Sequence, residues 1–150
     1  MDIERLIKLL KENKVDFVII GATAFPVYGY ARATLDTDIF IRPTKKNAIN
    51  TLRALKKFGY DIIDLTVDDL LKKKVLIRQY IVETDIHPYV KGVSFKQVWN
   101  NKVTAKFITT ETYFASLRDL IKMKKAAARP KDLEDLKYLR KLINKHTGQK

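Results

Sequence analysis

At 150 residues the chain is long enough to bury one core and short for two, and its 46% hydrophobic content, with 5 Gly, 4 Pro and no low-complexity tract, excludes a disordered or fibrous protein. It has no cysteine, which excludes disulfide frameworks, thiolate metal sites and cysteine nucleophiles and favours a cytoplasmic location. No apolar run reaches the ~18 residues of a membrane span, so no membrane association is expected. The net charge of +13 is uneven: residues 1–90 carry 15 Lys/Arg and 12 Asp/Glu, whereas residues 91–150 carry 15 and 5. That leaves open a polyanionic partner or a lysine-rich solvated surface.

Along the chain, Ile3, Leu6, Ile7 and Leu10 have the spacing of an amphipathic helix over Asp2–Asn13, and Val15–Ile20 reads as a buried strand ending at Gly21. Ala22–Gly29 is expected to form a short helix and Leu35–Ile41 a strand. Thr44 caps a helix over Lys45–Phe58 that Gly59 stops. Tyr60–Leu65 is expected as a further strand, and Thr66-Val-Asp-Asp opens a short helix. Val75–Tyr89 reads as one or two strands, Ser94–Trp99 as a helix and Val103–Ala115 as two extended pieces. Ser116-Leu-Arg-Asp119 starts a helix to about Ala127. After Arg129-Pro130 a last helix shows Leu133, Leu136, Leu139 or Arg140, and Ile143 on one face. The order predicts a mixed α/β (α+β) fold in one domain, 1–150, with a core over about 15–110 and a helical part over about 116–145.

Asp36 and Asp38 are two apart on a predicted strand, so both carboxylates leave one face, about 7 Å apart at the backbone. Such a pair repels, and a divalent cation resolves the repulsion while bridging phosphate oxygens. A third carboxylate is then expected nearby. In Ile81-Val-Glu-Thr-Asp-Ile-His87 the acids alternate with Val82, Thr84 and Ile86, which makes Asp85 the candidate and Glu83 a weaker one. Gly21, followed by the small residues Ala22, Thr23 and Ala24, allows backbone amides to approach phosphates. The plainer reading of the pair is an edge strand with two solvated acids. His87, beside the proposed site, could touch a phosphate or metal but reads first as structural, His146 as part of a terminal tail, and Tyr89, Trp99 and Tyr113 as core aromatics before base-stacking ones. Lys122, Lys124, Lys125, Arg129 and Lys131 could grip an RNA backbone or form a solvated helix face.

Val18-Ile-Ile-Gly21-Ala22, followed after thirteen residues that include Arg32-Ala-Thr by Asp36-Thr-Asp38, resembles the opening motif of the polymerase-β-like nucleotidyltransferase superfamily. Thr84-Asp85-Ile86-His87 matches its later carboxylate. Ser116-Leu-Arg-Asp-Leu-Ile-Lys-Met-Lys124 with Arg129-Pro-Lys-Asp132-Leu-Glu-Asp135-Leu is similar to the C-terminal helices of the minimal AbiEii-like and MNT-like groups. The match runs over roughly residues 17–142. The resemblance implies a small mixed sheet flanked by helices, with the C-terminal helices packed on it, and transfer of a nucleoside monophosphate from a nucleoside triphosphate to a hydroxyl on RNA, protein or a small molecule. It implies Asp36, Asp38 and Asp85 as catalytic ligands of Mg2+ or Mn2+. Gly21, Ala22, Thr23, Arg32, Lys124 and Asp132 become nucleotide-binding residues, and a cognate toxin or antitoxin becomes a candidate partner. Ala22 departs from the Gly-Ser or Gly-Gly turn usual there. A catalytically degenerate module of the same fold, binding nucleic acid or a partner, is therefore the alternative.

Overall fold

A computed structural model of the chain describes residues 2–32, 34, 36–79 and 83–147, the last two without their side chains. Leu35, Ile81, Val82 and the His146 side chain, all placed by the sequence reading, lie outside the described residues. Helix α1 (Ile3–Glu12) starts where the Asp2 side chain accepts from the Arg5 amide, and Leu6, Ile7 and Leu10 form its buried face. Strand β1 (Phe17–Ile20) is buried throughout and leads into a 3₁₀ segment, Gly21–Tyr28, which ends at left-handed Gly29. Strand β2 (Asp36–Ile41) precedes α2 (Lys45–Phe58), capped by Thr44 and stopped by Gly59 at φ 108°. Arg5 of α1 donates to the Lys57 and Phe58 carbonyls at the end of α2, tying the two helices.

Helix α3 (Val67–Lys72) carries a full capping box between Thr66 and Asp69, and strands β3 (Val75–Ile77) and β4 (Glu83–His87) follow. Next come α4 (Phe95–Asn101), the hairpin of β5 (Val103–Phe107) and β6 (Thr110–Phe114), α5 (Leu117–Ala127) and α6 (Pro130–Thr147). Among the described residues the strands form one mixed six-stranded sheet in the order β3-β4-β2-β1-β6-β5. β2 runs antiparallel to β1 and parallel to β4, and β6 runs parallel to β1. The α/β expectation holds.

Two details depart from the sequence reading. Tyr60–Leu65 forms no strand, because side-chain and turn hydrogen bonds take backbone groups that a ladder would need. The Asp61 carboxylate accepts from the Ile63 amide, the Asp61 amide donates to the Gln79 side chain, and the Leu65 amide donates to the Ile62 carbonyl. Tyr60 is buried, its hydroxyl 3.1 Å from that of Thr84, and Ile62 and Leu65 pack partly against the core, while Ile63 is 85% exposed. On α6 Leu133 is 48% exposed, because the inward face is Asp132, Asp135, Leu136 and Leu139. Two acids bury where the apolar stripe predicted a leucine.

Candidate active site

The β2–β4 register decides the site. Asp38 lies abreast of Asp85 and Asp36 abreast of Glu83, so the period-two alternation of both strands sends all four acids, with His87, to one face. β1 abuts β2 with Ile20 opposite Asp38, which brings Gly21 under the Asp38 carboxylate. A Cβ on Gly21 would sit 2.5 Å from Asp38 Oδ2, and its φ of +69° is left-handed. Only glycine meets both conditions without strain.

Asp85 is buried, and His87 Nε2 lies 2.8 Å from Asp38 Oδ1. Asp38, Asp85 and His87 each offer an atom within 4.8 Å of the others. Two hard carboxylate oxygens and one imidazole nitrogen at that separation suit a divalent cation. Asp36 lies outside this set. Its carboxylate accepts from Thr34 Oγ1 at 3.3 Å and pairs with Arg78 at 3.6 Å.

Arg78, one residue past β3, is the counter-charge that the sequence reading missed. It donates to Asp85 Oδ1 at 2.6 Å and also faces Asp36 and Glu83. The Asp85 hydrogen bond foremost, then the neighbouring carboxylates, raise its pKa against the cost of burial. Nothing in the spacing of Val75–Arg78 signals this role, because it depends on β3 pairing antiparallel with β4.

The facing wall comes from the C-terminal helices. Lys124 reaches Asp132 at 3.0 Å and Asp135 at 3.3 Å, and Arg129 donates to Asp132 at 2.6 Å. Burial pushes the Asp132 carboxyl up, but hydrogen bonds from Arg129 and Lys124 hold it well below the usual carboxylate range. Asp135 takes Arg32 through both oxygens and the Tyr30 hydroxyl at 3.0 Å. Tyr30 itself stacks between Phe25 and Tyr138. The spacing of Asp132 and Asp135 on one helix could have revealed the second acid.

The two walls enclose a cleft of about 740 Å³ lined by Gly21, Ala22, Arg32, Asp36, Asp38, Asp85, Lys124, Arg129 and Asp132, among others. Its size is within the range of small-molecule sites. Of the nine residues that the resemblance implied as catalytic or nucleotide-binding, eight line it. The exception is Thr23, whose hydroxyl lies 3.5 Å from the Asp36 carbonyl and which does not line the cleft.

Residues 1–146 match the family model described as "Nucleotidyltransferase of unknown function (DUF6036)". The chain belongs to this family. It is an enzyme of the nucleotidyl-transfer class, and its sheet and helices are those of the polymerase-β-like superfamily. No curated protein matches it. Among solved structures this nucleotidyltransferase is similar to a protein from Thermotoga maritima described as a candidate nucleotidyltransferase, with a TM-score of 0.59 and 16% identity over 95% of this chain and 91% of that one. It is also similar to the lincosamide antibiotic adenylyltransferase LnuA in its lincomycin-bound form, with a TM-score of 0.62 and 14% identity over 93% and 95%. At such identities the likeness is one of fold.

Proposed function

We propose that this nucleotidyltransferase moves a nucleoside monophosphate from a nucleoside triphosphate to a hydroxyl acceptor and depends on a divalent cation held on the β2–β4 face. The observation that carries this reading is the placement of Asp38 abreast of Asp85, with His87 at the same point and glycine under Asp38. Asp38 and Asp85 would hold the ion, His87 offers it a nitrogen, and Asp36 on the same strand face completes the carboxylate set. Magnesium or manganese, when bound, supplies positive charge to the triphosphate and to the entering and leaving oxygens.

Gly21 and Ala22 bring backbone to the cleft without bulky side chains, so the triphosphate can lie against them. Lys124 and Arg129 on the other wall supply charge to the phosphates, positioned by Asp132. Asp85 takes the proton of the acceptor hydroxyl. That oxygen bonds to the α-phosphorus as the α–β bridging P–O bond breaks, and pyrophosphate leaves.

The test is incorporation of α-labelled nucleoside triphosphates into total RNA, protein and small hydroxylated acceptors, with Mg2+, Mn2+ or chelator. Label is expected only with metal and is expected to vanish in Asp38→Asn and in Asp85→Asn. Undiminished transfer by either variant overturns the mechanism.

A further inference from the structure

The proposed reaction leaves the acceptor unnamed, and the rest of the cleft lining bears on it. That lining includes Leu76 of β3, 53% exposed, and Tyr89, 65% exposed, in the cleft that holds Asp38 and Asp85. Tyr89 is therefore not the core aromatic that its spacing suggested. Lys74 and Lys91 line the same cleft, and neither has an acidic partner among the described residues. By contrast Arg32, Arg78, Lys124 and Arg129, which line the same cleft, are each held by a carboxylate. Tyr89 also borders a second cavity of about 420 Å³, lined by Phe40, Pro43, Pro88 and Phe95, with Lys96 at its edge.

An exposed aromatic ring and an exposed apolar side chain in one cleft with two ammonium groups that no carboxylate holds suit alternating bases and phosphates. A polycationic small molecule would meet repulsion from the same lysines, and a neutral one would leave them unused. Because Tyr89 borders both cavities, the strand's terminal hydroxyl would lie toward Asp85 and its preceding base toward the second cavity. We infer that Leu76, Tyr89, Lys74 and Lys91 form the acceptor subsite, and that it takes the 3′ end of a single-stranded nucleic acid. The inference rests on the proposed transfer for the reaction but not for the binding. In the reaction, the 3′-hydroxyl oxygen bonds to the α-phosphorus, its proton goes to Asp85, and the strand leaves one nucleotide longer with release of pyrophosphate.

The experiment measures binding of fluorescent RNA and DNA dodecamers of one sequence by anisotropy across a salt series, in chelator, so that binding is read apart from chemistry. Wild type is expected to bind with affinity that falls as salt rises. Tyr89→Ala is expected to weaken binding about tenfold, and Tyr89→Phe to restore it. Lys74→Ala and Lys91→Ala should each lower the slope of log affinity on log salt by about one. The arm that binds more tightly names RNA or DNA as the source. Affinity indifferent to salt, or unchanged by Tyr89→Ala and both lysine variants, overturns the subsite. Tyr89 is exposed, and thermal melts of each variant confirm that the fold is kept. If oligonucleotide binding follows Tyr89 while no acceptor is ever labelled, the transfer reading fails and this one stands. If label enters only protein or a small molecule and no oligonucleotide binds, this one fails and the transfer reading stands.

Discussion

Replacing Gly21 by alanine tests the link between the turn and the acid pair. The new Cβ would lie 2.5 Å from Asp38 Oδ2, where ordinary contact begins at 3.4 Å, and the backbone would stay at φ +69°. The left-handed conformation costs an alanine about 1–2 kcal/mol, and forcing Asp38 aside adds about 1–2 kcal/mol. In a chain of this size the sum lowers Tm by roughly 5–12 °C. Asp38 cannot yield without leaving His87, so divalent binding should fall with stability. Urea and thermal unfolding, with Mn2+ binding followed by electron paramagnetic resonance, measure both. The double-mutant cycle is more discriminating: in an Asp38→Ala background the collision disappears, and Gly21→Ala should cost only the backbone term, about 1–2 kcal/mol. Equal costs in the two backgrounds, or Mn2+ binding by Gly21→Ala at wild-type strength, would refute the argument.

Three other substitutions probe separate features. Arg78→Gln frees Asp85 from a competing cation; because Arg78 is 41% exposed the contact is worth only about 1 kcal/mol, so Mg2+ or Mn2+ should bind about fivefold more tightly by calorimetry. Weaker binding would show that Arg78 supports the ion instead. Glu4 is held at about 2, chiefly by the Thr109 hydroxyl and amide and by Thr110, against an ordinary 4.5. A depressed carboxyl stabilises the fold above its unfolded pKa, so wild type should lose its advantage over Glu4→Gln as pH falls from about 4.5 toward 2 in acid-unfolding curves. Ala128 ends α5 at φ 54°, so Ala128→Gly should raise stability by about 0.5–1 kcal/mol in urea unfolding.

Asp36, Asp38 and Asp85 were legible because side-chain direction on a strand has a period of two, and a face of acids beside apolar neighbours needs no tertiary knowledge. The caps at Thr44, Thr66 and Ser116 were legible for a similar reason, since each is set by bonds within a few residues. What stayed hidden depends on pairing between distant segments. That Asp38 faces Asp85 directly, with Asp36 outside the tightest cluster, is a matter of the β2–β4 register. Arg78 gains its role only once β3 lies beside β4, and Arg32, read as a phosphate contact, is bound by Asp135 from more than a hundred residues away. Tyr60–Leu65 has strand-like composition, but the Asp61 carboxylate competes locally for its backbone.

The helical wall of the cleft is held by charges kept away from water: Asp132 and Asp135 are almost wholly buried, with Lys124 between them. Hydration of such groups becomes less favourable on heating, so the cost of keeping them dry falls as temperature rises, while the stabilisation from apolar burial levels off. Warming therefore penalises this wall less than a purely apolar junction, and the cleft's geometry should outlast contacts elsewhere in the fold as the protein approaches its melting range.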